Sequence, residues 1–393
     1  MISVATAEAF IQSNLKNIEN ELVPFDCSNG RILAENLLAD RPFPPFDRVT
    51  MDGIAVAFNA QQKSWKIEGI AAAGSPQLSL ENPENCIEVM TGAMLPSGCD
   101  TVIRYEDFLI VDGFATLQIE RITQGQNVHL RASDRVQNSI IVAEGCKISA
   151  AEIGVMASIG KVEVLVKKRA KILVISTGDE LVAVAEKPLE HQIRSSNGYA
   201  LKAALESADA SVDYIHLSDN QEIIEEKIKE GIRNFDALVL SGGVSAGKFD
   251  YVPNALENQG VEQVFHQVSQ RPGKPFWFGK AANGVVVFAL PGNPVSTFMC
   301  LHRYVLPWLA ASLGQKQHFE KVVLGEDFHF KPPLTHFLQV KISFENGRKM
   351  AKPLPGNGSG DLANLTNADG FIELPSETDF FESGQLFSFI SYR

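Results

Sequence analysis

Between Ala170 and Gly314 the chain alternates apolar runs of strand length with segments of helix length: "AKILVIST", "SNGYALKAALESA", "SVDYIHLS", "NQEIIEEKIKEGI", "FDALVLSGG", "GVVVFALPG" and "VSTFMCLHRYVLPWLAASLG". A run that is apolar at nearly every position is buried on both faces, and strands separated by helices pair in parallel. The pattern therefore predicts an α/β domain, a parallel sheet covered by helices on both sides. Ligands of such sheets sit beyond the carboxyl ends of the strands, in the loops that emerge there.

The flanking regions read differently. Ile11, Leu15 and Ile18 recur at helical spacing and predict an amphipathic helix capped by Ser3 or Thr6. "ADRPFPPFDRVTMDGIAV" breaks that period with three prolines and sets Asp47 and Asp52 about a short ordered loop. Residues 54–142 hold short strand candidates, "WKIEGI", "CIEVM", "TVIRYEDFLIV" and "ATLQIERI", and so predict a small β-region inserted into a helical one. "SAAEIGVMASIG" returns to helix and ends at Gly160, a residue suited to a C-terminal cap. After Gly314, "THFLQVKISFENG", "FIELPS" and "LFSFISYR" predict a terminal β-domain.

Charge and cysteine content exclude several classes. With 47 acidic against 35 basic residues the net charge is −12, which lacks the basic footprint of a nucleic-acid binder. Lys167-Lys168-Arg169 is the one dense basic run. Cys27, Cys86, Cys99, Cys146 and Cys300 show no metal-finger spacing and are odd in number, which suits a reducing, cytoplasmic compartment. No basic segment precedes an apolar run at the start, and no apolar stretch is long enough to span a membrane.

Chemistry-bearing residues gather at the predicted strand ends. In "STGDEL", Gly178 permits a close turn while Asp179 and Glu180 offer oxygen ligands to Mg²⁺; the alternative is an acidic helix start. In "SGGVSAGKFDY", Ser241, Gly242, Gly243 and Ser245 present hydroxyls and open amides fit to cradle phosphate, without the spacing of a Walker loop or a dinucleotide fingerprint. In "ALPGNPVS", Asn293 is a helix cap with Pro294 at the first position and Ser296 at the same mouth. "RPGKPFWFG" supplies Arg271 and Lys274 on a backbone restricted by two prolines, with Phe276, Trp277 and Phe278 read as core. Asp219 and Asp250 each follow a strand and, with Asp179, converge on one metal if the sheet edge brings them together. No Ser-His-acid triad or histidine metal motif is evident, and His302 reads as a satisfied or edge histidine.

Taken in order, "TMDGIAV", "MTGAMLPSGCDTVIRYED", "STGDEL", "SGGVSAGKFDY", "RPGKPFWFG" and "LPGNPVS" resemble the MoeA family, the molybdenum-insertion enzymes of molybdenum cofactor synthesis. Residues 170–315 also resemble the molybdopterin-binding domains of adenylyltransferases and competence-damage-related proteins, but the two upstream segments favour the insertion family. The resemblance implies a multidomain α/β plus β chain in four parts: a discontinuous helical N-terminal domain (1–53 and 143–168), an inserted β-rich domain (54–142), a central α/β molybdopterin-binding domain (169–315) and a C-terminal β-barrel-like domain (316–393). It implies a homodimer with a shared cleft, and Mg²⁺-dependent insertion of molybdenum from molybdate into adenylylated molybdopterin with release of AMP. An upstream molybdopterin adenylyltransferase and downstream molybdoenzyme acceptors follow as partners, with neither nucleic acid nor membrane involved.

By the same resemblance Asp52, Thr91, Glu106 and Asp134 line the partner's side of that cleft. Asp179, Glu180, Asp219 and Asp250 form its acidic side, with Asp179 and Asp250 at Mg²⁺. Ser241, Gly242, Gly243, Ser245 and Asn293 hold the pterin phosphate, while Arg271, Lys274, Ser296 and Ser359 meet the incoming oxyanion.

The chain departs from the family pattern at specific points. Ile54 stands where the family has tyrosine, Ala132 and Ser133 where it has Gly-Glu, Arg271 where it has lysine, and Leu334 and Gln339 where it has arginines. Two alternatives therefore stay open: a divergent molybdopterin-binding paralogue acting as carrier or regulator, and a phosphohydrolase of another nucleotide-linked substrate.

Overall fold

The computed structural model describes residues 1–244, 251–315 and 318–393. The chain divides into two compact units, Leu22–Asn29 with Leu33–Leu165, and Met1–Glu21 with Gly30–Ile32 and Val166–Arg393. Among the described residues no helix is long and apolar enough to cross a membrane.

The first unit is built on a six-stranded sheet in the spatial order Thr101–Arg104, Gly53–Val56, Cys86–Val89, Ser64–Ala71, Phe114–Leu117 and Phe108–Val111. The single strand expected over "TVIRYEDFLIV" is two, separated by a 3-10 turn at Tyr105–Asp107. Asp107 is buried and takes a two-pronged ion pair from Arg104, at 2.8 and 3.0 Å, which closes that turn. Gly53 of "MDG" is required by close approach: a Cβ there would lie 1.9 Å from the Ile103 carbonyl oxygen on the neighbouring strand. The helix Ala150–Ser158 starts as expected, with Ser149 and Glu152 forming a reciprocal capping box.

In the second unit the central sheet runs Ser211–Leu217, Lys171–Thr177, Ala237–Ser241, Val286–Leu290, Trp277–Ala281 and Val261–His266. Side chains alternate cleanly between its faces. Ile172, Val174, Val239, Val286 and Phe288 enter one core, and Leu173, Ile175, Leu238, Leu240 and Val287 the other. The first four strands are parallel as expected, but Trp277–Ala281 runs antiparallel to both its neighbours. Trp277–Ala281 and Val286–Leu290 are joined by a tight turn, too short for the crossover that a parallel pair needs. Phe276, Trp277 and Phe278 are buried, as expected of core residues.

Two helical expectations are corrected. The first helix spans Val4–Gln12 only, capped by Ser3. Ser13 Oγ and Asn14 Nδ2 both donate to the Phe10 carbonyl at 2.8 Å, a side-chain substitute for the next helical turn, and Leu15 is left exposed. The long apolar helix is Pro294–Cys300, a π-helical turn Leu301–Val305, then Leu306–Ser312. Pro307 has no amide to offer the Arg303 carbonyl, and the widened turn lies just before it. On that turn His302 is half-buried, as an edge histidine is, and among the described residues its Nε2 has no hydrogen-bond partner.

The C-terminal strands close into a five-stranded barrel, Thr335–Glu345, Arg348–Pro353, Glu320–Leu324, Leu386–Ser391, Gly370–Leu374 and back to the first. Val322, Leu338, Val340, Ile372 and Phe389 fill it. Gln270–Arg271 pairs in parallel with Thr335–His336, so the "RPGKP" loop leaves from the side of the barrel. The basic run is neutralised locally, Lys168 by Glu19 and Arg169 by Asp209, each at 2.7 Å.

Candidate active site

The strands Lys171–Thr177, Ala237–Ser241 and Val286–Leu290 end level with one another, and their following loops enclose a cavity of about 490 Å³. Ser241, Gly242, Gly243, Asn293, Glu180 and Asp219 all line it, so six of the residues singled out in the sequence meet at one sheet edge. Gly242 and Gly243 turn with φ of 98° and 68°, conformations that favour glycine. A Cβ on Gly242 would stand 2.7 Å from the Thr177 carbonyl oxygen, and one on Gly243 2.7 Å from Val252 Cγ2. The loop is thus pressed against the neighbouring strand end, with its backbone turned to the cavity. Ser245 and Asp250 lie outside the described residues.

Two hydroxyls that the sequence reading passed over are prominent. Ser176 and Thr177 line the cavity, and among the described residues their buried Oγ and Oγ1 have no hydrogen-bond partner. A buried hydroxyl left unsatisfied costs about 1–3 kcal/mol, so such groups mark places where a ligand or water completes the bonding. The signal was present in "ILVIST", whose polar residues stand only at the carboxyl end. Arg194 brings a guanidinium to the same cavity, its Nε donating to the Glu186 carbonyl at 3.0 Å.

The carboxylates are arranged by the backbone. The Asp219 amide donates to Asp179 Oδ1 at 3.0 Å, and the Asp179 amide donates to Asp219 Oδ2 at 3.3 Å. Glu180 folds back over Gly178 and lines the cavity beside Asp219. Among the described residues no three His, Cys, Asp or Glu side chains converge into a finished metal cage. Mg²⁺ is held characteristically by one or two carboxylates, with waters and substrate phosphates completing its shell, and the donor set here has that chemistry.

A second cavity of about 500 Å³ shares Pro275, Pro291 and Asn293 with the first. Arg271, Lys274, Ser296, Leu334, Gln339 and Ser359 line it. Asn293 occupies the helix N-cap position, but its side chain makes no capping bond, contrary to the expected role. Its helix spends the Val295 amide on the Ser359 carbonyl at 3.0 Å, which ties the "GNGSGD" loop to the helix start. The Arg271 guanidinium lies 5.8 Å from the Phe330 ring centroid, and that ring stacks on His336 at 4.0 Å. His336 Nδ1 lies 3.1 Å from the Arg271 carbonyl, which can only accept, so Nδ1 carries the proton. Burial pushes the His336 imidazole down to about 4, against the bond to Arg271. Gln339 is buried and accepts from Asn364 Nδ2 at 3.2 Å. Leu334 packs against the barrel core, so neither arginine position of the family is replaced by a charge.

The remaining candidates belong to the other unit. Asp52 Oδ1 accepts from the Thr91 amide at 2.6 Å and from its hydroxyl at 2.7 Å, bonds that hold the carboxylate below its usual range. The Tyr105 amide donates to the Asp52 carbonyl at 3.2 Å, bringing the turn that bears exposed Glu106 alongside. Asp134 accepts from His129 Nε2 at 2.8 Å, while Arg48 donates to His129 Nδ1 at 3.1 Å. Ala132 has φ of 64°, the backbone state that explains glycine in the family pattern. Ile54 is fully buried among Trp65, Ile103 and Phe108, where a tyrosine hydroxyl would need a partner.

Comparison with known proteins accords with this organisation. The family model of the MoeA N-terminal region (domain I and II) matches residues 2–160, that of a probable molybdopterin binding domain 173–311, and that of the MoeA C-terminal region (domain IV) 321–392. A Synechocystis sp. protein named molybdopterin molybdenumtransferase is 40% identical over 399 residues, covering 100% of both chains. A Bacillus subtilis protein of the same name is 30% identical, covering 94% of this chain and 89% of its own. The crystal structure of a molybdopterin biosynthesis MoeA protein from Pyrococcus horikoshii superposes with a TM-score of 0.84 at 27% identity, covering 100% of this chain and 99% of that one. On these matches, end to end in sequence and fold, the chain belongs to the MoeA family and is an enzyme of molybdenum cofactor biosynthesis.

Proposed function

We propose that the enzyme transfers molybdenum from molybdate to adenylylated molybdopterin and releases AMP. The observation that carries this reading is the pair of adjoining cavities that share the "LPGNP" wall. One is lined with hydroxyls, open glycine amides and carboxylates, and the other with Arg271, Lys274, Ser296 and Ser359. The two substrates are both anionic, and one wall between their sites brings the dithiolene of one within reach of the metal oxyanion of the other.

In this reading Ser241, Gly242, Gly243 and Asn293 grip the phosphate of the pterin, with Ser245 as a further contact. Glu180 and Asp219, together with Asp179 and Asp250, would hold Mg²⁺, which supplies charge neutralisation at the phosphoanhydride. A water attacks one phosphorus; the bridging P–O bond breaks, and its oxygen leaves with the other phosphoryl group. Arg271 and Lys274 draw molybdate to the second cavity, where Ser296 and Ser359 orient it. Asp52, Thr91, Glu106 and Asp134 of a second copy complete the cleft in a homodimer. The four-part division at 1–53 with 143–168, 54–142, 169–315 and 316–393, and a cytoplasmic location, belong to the same reading.

Purified protein incubated with adenylylated molybdopterin, molybdate and Mg²⁺ tests it. AMP release together with formation of active cofactor is expected; neither appearing sinks the proposal. The uncharged Leu334 and Gln339 favour a second reading, a molybdopterin-binding carrier or regulator, which predicts tight pterin binding without turnover.

A further inference from the structure

Asn197 begins the helix Asn197–Ser207 and reaches three segments distant in sequence. Its Nδ2 lies 2.7 Å from the Gly292 carbonyl, 3.0 Å from Ser241 Oγ and 3.3 Å from Thr297 Oγ1. A carbonyl oxygen only accepts, so the Gly292 contact fixes which end of the amide is nitrogen. The same nitrogen then donates to Ser241 Oγ and fills one of its lone pairs. Among the described residues no protein acceptor takes the Ser241 hydrogen, which leaves that O–H to be donated into the cavity.

Ser241 does not stand alone there. Ser176 and Ser241 are register partners on adjacent parallel strands, so their side chains leave the sheet on the same face. Ser176 Oγ is buried and unpartnered on that face among the described residues, while Thr177, one residue on, leaves from the opposite face and sets its Oγ1 against Gly242 and Gly243. A free hydroxyl rotates to donate or accept, but Asn197 occupies one Ser241 lone pair and, among the described residues, leaves its O–H without a protein acceptor, which biases Ser241 to donate. A ligand acceptor opposite it satisfies that hydrogen, and the Ser176 hydroxyl turns to match. Phosphate oxygens, which only accept and present several lone pairs, satisfy both donors at once.

We infer that Asn197 is a positioning residue: by donating to Ser241 and Gly292 it holds the Ser241 hydroxyl as a donor to a phosphate oxygen of the ligand, in concert with Ser176. This rests on the reading of the first cavity as the pterin-phosphate site. It adds the residue that sets the polarity of that site.

Asn197→Asp is nearly isosteric but replaces the donor by an acceptor, so the Ser241 hydroxyl turns back toward the new carboxylate. The expected result is a KM for adenylylated molybdopterin raised about tenfold with kcat within about threefold, the size of one lost hydrogen bond. In a Ser241→Ala background the same change adds less than about twofold, because the effect passes through that hydroxyl. Ser241→Ala by itself raises the KM, because the hydroxyl that Asn197 orients is gone. An unchanged KM in Asn197→Asp, or an equal rise in both backgrounds, overturns the inference. Should Asn197→Asp fail to fold, Asn197→Ala makes the same comparison: a KM raised in the wild-type background and not in Ser241→Ala upholds the inference, and an unchanged KM or an equal rise in both overturns it. If the wild-type protein releases no AMP, the reaction proposed above fails, and equilibrium dialysis with molybdopterin makes the same comparison in Kd. A wild type that binds no molybdopterin overturns both.

Discussion

Asp179 and Asp219, forty residues apart, each accept the other's main-chain amide, at 3.0 and 3.3 Å. The exchange pins two loop carboxylates at the edge of the sheet and leaves their remaining lone pairs to other partners. Asp219→Asn keeps an acceptor oxygen for the Asp179 amide while removing the charge. AMP release should fall at least about a hundredfold at saturating Mg²⁺ if that charge serves the metal.

Gly242→Ala tests the close approach of the glycine loop to the strand beside it. The new methyl would sit 2.7 Å from the Thr177 carbonyl oxygen at a φ of 98°. A loss of about 2–3 kcal/mol in unfolding free energy is expected, together with loss of pterin binding as the loop is driven off its seat. Native-like stability in denaturant melts would contradict the geometry.

Acidification should weaken the fold in a defined window. Burial holds His336 and His302 down to about 4, whereas the unfolded chain protonates near the ordinary value of about 6.5. Between those values the unfolded state takes up protons that the native state refuses. Stability is therefore whole above pH of about 6.5 and declines as the pH falls to about 4, by roughly 3 kcal/mol per histidine. Urea midpoints taken across that range should show the decline, and His302→Phe should make it shallower.

The strand ends were legible because their chemistry is local. Polar residues at the ends of apolar runs, glycines at turns and an N-capped helix all announce themselves in a few residues, and Ser149 with Glu152 formed the cap its spacing allows. What failed to show depends on distant partners. Thr177 and Ser176 look like ordinary strand residues until the fold denies them hydrogen bonds. Asn197 looks like a helix start until Gly292, ninety-five residues on, meets its amide. Leu15 kept the helical period by coincidence, after Ser13 and Asn14 had already closed the helix.

Leu334→Arg should restore a cation to the second cavity. Leu334 lines it within a half-buried position, where a guanidinium can reach the oxyanion without being sealed in the barrel. A fall of about tenfold in the molybdate concentration for half-maximal turnover is expected, with steeper salt dependence. Gln339→Arg should do less and destabilise more, because Gln339 is buried and bonded to Asn364. Equal behaviour of the two variants would argue that the cavity does not receive the oxyanion.

Pro275, Pro291 and Asn293 face both chambers, and only Asn293 among them has a side chain able to turn. A ligand that draws the Asn293 amide to one side removes it from the other, so the two occupants compete for, or jointly fix, one rotamer. Linkage makes the consequence reciprocal: whatever factor molybdate imposes on pterin affinity, pterin must impose on molybdate affinity. A single asparagine would then set the order in which the two substrates are best admitted, and replacing it by alanine would uncouple them.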